Sequence, residues 1–125
     1  MTVSDFNGKK AITNYKTIKV FNIKDIPKIS LIQCELETGR THQIRVHMNF
    51  KGNPIIGDKS YGKLRKKFKK INPIIEKKIN CFNRQALHAK SLGFIHPSSE
   101  KEIFFEAKRP KDFEELIKSL EKFTI

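Results

Sequence analysis

Apolar and polar positions alternate over the first third of the chain, which predicts strands there, and strand and helix patterns both recur further on. Lys10 to Phe21 reads KAITNYKTIKVF. Ile12, Ile18 and Val20 share a parity there and β-branched residues are frequent, which predicts a strand. Asn22 to Lys28, with Asp25 and Pro27, is turn material. In Ile29 to Glu37, Ile29, Leu31, Gln33, Glu35 and Glu37 alternate with Ser30, Ile32, Cys34 and Leu36. That segment is expected to pair antiparallel with the first strand through a hairpin-like loop. Thr38-Gly39 breaks the alternation. Thr41 or Thr38 offers an N-cap oxygen for a helix over His42 to Phe50, which places Ile44, His47 and Met48 on one face. Gly52-Asn53-Pro54 stops that helix, and Gly57-Asp58 and Tyr61-Gly62 add turn signals.

Lys63 to Lys78 is the most basic stretch and carries Phe68, Ile71, Ile74 and Ile75 among its charges. A solvated loop or a short helix over the core fits it. Ala86 to Ile95 and Glu102 to Lys108 suggest paired strands around Pro97-Ser98-Ser99. Asp112 offers a cap for a last amphipathic helix whose core stripe is Phe113, Leu116, Ile117 and Leu120. There is no internal repeat. The sum is an α+β fold, a mostly antiparallel mixed sheet with two or three helices.

Composition narrows this picture. The 125 residues suffice for one domain with one core and are too few for two. With 38% hydrophobic residues, ten Phe and 31% charged residues, a soluble globular chain is expected. The first ten residues lack an apolar stretch of the secretory kind, and nowhere do about 18 apolar residues run together. The expectation is a cytoplasmic location with no membrane contact. Cys34 and Cys81 are isolated, without Cys-x-x-Cys spacing, so reduced thiols are expected. Lys and Arg number 26 against 13 acidic residues, a net charge of +13 that attracts polyanions, RNA first among them. Codon bias toward Lys, Ile and Asn is the competing explanation, so charge alone decides little.

The densest chemistry is TGRTHQIRVH, Thr38 to His47, with two arginines, two histidines and an amide after a strand. Polar groups so concentrated at a strand-to-helix junction commonly line a site. Gly39 allows a tight turn, the opening helix presents N–H groups suited to a phosphate or carboxylate, and Arg45 offers a fork for a carboxylate. The plain alternative makes Arg40 and Arg45 surface cations and His47 a core residue; the pattern alone leaves both open. His42 and His47 point in different directions on a helix, and with His88, His96 and two scattered cysteines they form no zinc pattern, so no metal is expected. His88 and His96 fit strand residues packed near a cleft, and Tyr61 fits a core or cleft-wall aromatic.

TGRTHQIRVH, followed by Gly52, Pro54-Ile55-Ile56-Gly57-Asp58 and Tyr61-Gly62, resembles a signature block of the RluA-type pseudouridine synthases. Gly8 to Tyr15 resembles the family's GKxAxTxY strand. Arg84 to Ala89, Phe94, His96-Pro97, Phe105, Ala107 and Pro110 resemble its closing segment, so the likeness spans nearly the whole chain. The resemblance implies the C-terminal portion of a catalytic domain over residues 1–125. It also implies isomerisation of uridine to pseudouridine in ribosomal or transfer RNA, without a cofactor. By motif position Arg45 is the catalytic arginine that pairs with the nucleophilic aspartate. Arg40, Thr41, His42 and Gln43, with Lys63, Arg65, Lys66 and Lys67, are candidates for RNA contact.

The family's Arg-Leu-Asp triplet is absent, and none of Asp5, Asp25, Asp58 and Asp112 takes its place. The family's Lys-x-Tyr tyrosine has no counterpart in Tyr15 or Tyr61. The expectation is a truncated or split synthase, with a second chain supplying the N-terminal half and its aspartate, and with apolar strand faces left partly uncovered. A non-catalytic RNA-binding module or a gene remnant is the alternative.

Overall fold

The computed structural model of the chain describes residues 2–6, 9–24, 28–60 and 73–124. Three strands, β1 (Thr2–Phe6), β2 (Lys9–Phe21) and β3 (Ile29–Leu36), form one sheet in that order. Helices α1 (Gln43–Phe50) and α2 (Pro73–Asn80) follow, then a hairpin of β4 (Ser91–Ile95) and β5 (Glu102–Glu106), then α3 (Lys111–Phe123). Every strand pairing is antiparallel, and the α+β expectation holds with three helices among the described residues. Strand β1 lacks an alternating apolar pattern and was not foreseen; its backbone pairs with the start of β2.

A single extra residue decides which face of β2 is buried. Thr13 lies across from Leu36 and Phe21 from Ile29, with a register shift between Thr17 and Lys19. The additional residue on β2 reverses the alternation there, so Thr13 and Phe21, both odd-numbered, look to opposite sides of the sheet. The expected grouping of Ile12, Ile18 and Val20 on one parity is therefore overturned. Ala11, Thr13 and Phe21 are the buried positions, while Ile18 and Val20 are exposed.

On the Phe21 side sits the main core. Phe21 and Ile23 pack with Ile75 and Ile79 of α2, Phe82, and Leu116, Ile117 and Leu120 of α3, flanked by Ile29, Leu31, Ile56, Ala86, Phe113 and Phe123. Each such side chain contributes about 1.5–3 kcal/mol on burial. The stripe foreseen on the last helix is this contact. A bridge between Ile23 and Thr124 ties the end of α3 to the strand end.

Asp112 does not cap α3. Pro110 is the N-cap residue, its φ of −58° and ψ of 154° leading into the helix, and its carbonyl accepts the Glu114 N–H at 3.0 Å. Asp112 lies in the first turn, where its charge suits the helix dipole, and it takes a two-pronged bond from Arg84 at 3.0 and 2.9 Å.

The hairpin carries apolar residues that the described residues do not cover. Leu92 faces Phe105 and Phe94 faces Ile103 on one side, yet Leu92, Phe94 and Phe105 are 61%, 41% and 58% exposed. Incomplete cover of the strand faces was expected from the sequence. No described helix is long and apolar enough to cross a membrane.

Candidate functional site

Helix α1 reaches its place through a buried polar network. Gln43 is almost fully buried and lies one helical turn before His47, so both look toward β2. The Gln43 amide nitrogen donates to the Ile12 carbonyl at 3.0 Å and to Thr13 Oγ1 at 2.9 Å. Its amide oxygen accepts from Thr38 Oγ1 at 2.7 Å and from the Arg40 N–H at 3.0 Å. Thr38 Oγ1 in turn accepts the Ile12 N–H at 2.8 Å. Thr13 Oγ1 lies 2.7 Å from His47 Nδ1. Thr13 Oγ1 thus accepts from Gln43 and shares a second bond with the imidazole, which a hydroxyl can make as donor or as acceptor. Burial of His47 pushes its pKa below the usual histidine value.

This arrangement decides between the two sequence readings residue by residue. His47 is the core residue of the plain alternative, and the buried face of α1 is Gln43, His47 and Met48, with Gln43 in the place expected for Ile44. The loop before α1 is held by Gln43 and not by a threonine cap: His42 is the N-cap residue, left-handed at φ 51°, without a side-chain cap bond. Thr41 and His42 are exposed. Arg40 folds back across β2, donating through Nε and Nη2 to the Lys10 carbonyl at 3.3 and 3.2 Å. Lys63, Arg65, Lys66 and Lys67 lie outside the described residues.

Arg45 is not a loose surface cation. Its side chain is 13% exposed and meets Asp58, whose side chain is 1% exposed. Nε donates to Asp58 Oδ2 and Nη2 to Oδ1, both at 2.9 Å. Two parallel charge-assisted bonds fix the plane of the guanidinium as well as its position. Breaking a buried pair by deleting one partner typically costs about 3–5 kcal/mol, because the survivor is left charged and desolvated.

Asp58 is held by its own turn. Its N–H donates to the Ile55 carbonyl at 3.1 Å and its Oδ1 accepts the Ser60 N–H at 3.2 Å. Gly57 has φ +81°, and a Cβ there would stand 2.0 Å from the Arg84 carbonyl oxygen. Only glycine fits that backbone angle and that approach. The segment it rests against is also bonded to the turn, through the Ala86 N–H and the Ile56 carbonyl at 2.8 Å.

Sequence reasoning placed Asp58 in a turn and missed its role as the resident partner of Arg45. It also missed Thr13 and Thr38 as network members. The available signal was physical: an arginine on a half-buried helix needs a counter-ion nearby. Outside this cluster, His88 Nε2 lies 3.0 Å from the Ala107 carbonyl, and His96 Nδ1 receives the N–H groups of Ser98 and Ser99. Both histidines sit in loop segments and not in the strands expected for them. Among the described residues no group of three or more His, Cys, Asp or Glu could hold a metal ion.

Comparison with known proteins adds independent findings. A family described as RNA pseudouridylate synthase matches residues 1–50, which contain Arg45 and the whole polar network. The chain is 45% identical over 118 residues to the ribosomal large subunit pseudouridine synthase D of Zymomonas mobilis, covering 94% of this chain and 34% of that protein. It is 43% identical over 122 residues to an uncharacterized RNA pseudouridine synthase of Bacillus subtilis, covering 98% of this chain and 34% of the relative. A third relative, the large subunit synthase D of Xanthomonas campestris, is 40% identical over 120 residues. The chain spans about a third of the length of these relatives.

Proposed function

This chain belongs to the RluA-type family of RNA pseudouridine synthases, and from that membership we propose that it forms the arginine-bearing, C-terminal portion of a synthase catalytic domain acting on RNA. The observation that carries this reading is Arg45, held in one orientation by two 2.9 Å bonds at the start of a helix braced against β2. A guanidinium so fixed can present positive charge to the carboxylate that attacks uridine, keeping it ionised and aimed. The Arg-Leu-Asp triplet that would carry that carboxylate does not occur in the sequence, and of the described aspartates Asp58 is nearly inaccessible and Asp112 is engaged by Arg84. Another segment, on the same or a second polypeptide, supplies the aspartate.

In the reaction the C1′–N1 bond of uridine breaks, a C1′–C5 bond forms, the C5 hydrogen leaves as a proton and N1 gains one. No cofactor is needed for that balance. Ribosomal RNA is the substrate favoured by the names of the relatives, and a cytoplasmic location follows from it. Arg40, Thr41 and His42, exposed or half-exposed beside Arg45, and Lys63, Arg65, Lys66 and Lys67 are the groups proposed to contact phosphate. Gln43 contributes as the brace beneath them.

The test combines this chain with a polypeptide covering the unmatched part of the Zymomonas mobilis relative, and adds large-subunit ribosomal RNA labelled with tritium at C5 of uridine. Tritium release that requires both polypeptides, and that is lost on Arg45→Ala, is the expected result. A folded complex of the two that releases none overturns the proposal. The non-catalytic alternative, favoured by the missing triplet, then predicts RNA binding whose log K falls by roughly 0.7 per phosphate contact per log unit of salt.

A further inference from the structure

We propose that Asp58 is a positioning residue for catalysis: it sets the plane and reach of the Arg45 guanidinium, and through it the orientation of the attacking carboxylate. This inference rests on the function proposed above. An arginine anchored only by its helix has a long side chain with many rotamers, and losing that freedom during a reaction would raise the barrier. Here the freedom is already removed. Asp58 engages the Nε–Nη2 edge with both oxygens, so an incoming carboxylate would be received by the same planar fork from another direction.

The turn that bears Asp58 is as firmly defined as the helix that bears Arg45. On one side, α1 is tied to β2 through Gln43, Thr13 and His47. On the other, Gly57 rests against the backbone of Arg84, and the Ala86 N–H bonds to Ile56. The guanidinium therefore bridges two separately anchored pieces of backbone. Asp58 has a second, electrostatic effect, because its charge partly offsets that of Arg45. The cation's hold on the second carboxylate is thereby weakened, which leaves that carboxylate more nucleophilic than an unshielded cation would.

Asp58→Asn keeps the shape but places an amide N–H against one of the two guanidinium donors, whereas Asp58→Glu restores the charge at a different reach. In the isolated chain labelled with nitrogen-15, the Arg45 Nε–H signal, assigned by its loss in Arg45→Lys, is expected to exchange slowly with water. In Asp58→Asn it should exchange fast while the amide signals of α1 and β2 persist. In the two-polypeptide assay, Asp58→Asn should lower kcat by about 100-fold with KM changed by no more than about threefold. Asp58→Glu should recover part of kcat, and the exposed Glu121→Gln should change neither reading. Slow Nε–H exchange in Asp58→Asn, or an unchanged kcat in a mixture active with the unmodified chain, overturns the proposal. If the unmodified mixture is inactive, the function proposed above fails, and the exchange measurement alone decides whether Asp58 holds Arg45. Should Asp58→Asn not fold, both readings are taken on Asp58→Glu, where unchanged exchange and kcat would overturn the assignment.

Discussion

Replacing Gly57 with alanine should be among the most damaging single changes outside the main core, and the structure allows its size to be worked out. A residue with a Cβ at φ +81° incurs about 1–2 kcal/mol of backbone strain. The new Cβ would also stand 2.0 Å from the Arg84 carbonyl oxygen and 3.2 Å from Phe82 Cδ1. The contact is with backbone, so relief requires moving the 82–86 segment. That movement breaks the Ala86 to Ile56 hydrogen bond, worth about 1 kcal/mol, and disturbs Phe82, which belongs to the core. The total is on the order of 4 kcal/mol, and with a urea m-value of about 2 kcal/mol/M the midpoint should fall by roughly 2 M. Gly52→Ala supplies the comparison. Gly52 has φ +83° with nothing within 4 Å of its Cβ position, so it carries the strain without the collision and should lose only about 1–2 kcal/mol. Equal urea midpoints for the two variants would refute the steric reasoning.

Thr13→Val keeps the shape but removes the hydroxyl that joins Gln43 to His47, and should cost about 2–4 kcal/mol; Thr13→Ser, which keeps the oxygen, should recover most of the urea midpoint. Because burial lowers the pKa of His47 in the folded state from its usual 6.5, the unfolded chain takes up the proton first on acidification. The contribution of the neutral imidazole is therefore complete above about pH 6.5 and is lost as pH falls through the folded-state value. Urea midpoints between pH 8 and 5 should show this decline, and His47→Gln should flatten it. Asp112→Ala removes a two-pronged pair with Arg84 similar in length to the Arg45 pair, but its side chains are 37% and 47% exposed against 13% and 1% for Arg45 and Asp58. Its urea midpoint should hardly move, whereas Asp58→Ala should lower it markedly.

What the sequence made legible was whatever depended on local pattern. The stripe on α3 shows itself because Leu116, Ile117 and Leu120 recur at helical spacing and meet one core. Strands β2 and β3 show themselves because alternation and β-branching agree, and the string from Thr38 to His47 was dense enough in chemistry to mark the site. The missed features all depend on contacts between distant parts of the chain. The bulge beside Ile18 has no composition signal, so parity pointed to Ile12, Ile18 and Val20 on one inner face. Strand β1 is defined by its pairing with β2, not by its own residues. Asp58 looked like a turn residue and is one; that its carboxylate also closes on Arg45 depends on how the Gly57 turn packs against the 82–86 segment. Asp112 fits a cap by type, but Pro110 is the N-cap and the helix starts two residues earlier than that role required.

The bulge has a consequence for how the site is stabilised. It sends Phe21, Ile29 and Leu31 to the side where α2 and α3 bury them, and Thr13 to the opposite side, where α1 offers only Met48 as a buried apolar residue. Among the described residues, the face bearing the site therefore has little hydrophobic burial to hold it. Leu36, which pairs with Thr13 there, is 49% exposed. Hydrogen bonds through Thr13, Thr38, Gln43 and His47, and the Arg45 pair, must fix the geometry instead, and such bonds are directional where apolar packing is not. This makes the site sensitive to changes of a single polar atom. It also separates two classes of variant: truncations of the α3 stripe should lower global stability while leaving the orientation of Arg45 intact in whatever fraction remains folded. Changes at Asp58 or Gln43 should disorient Arg45 in a chain whose main core is still formed.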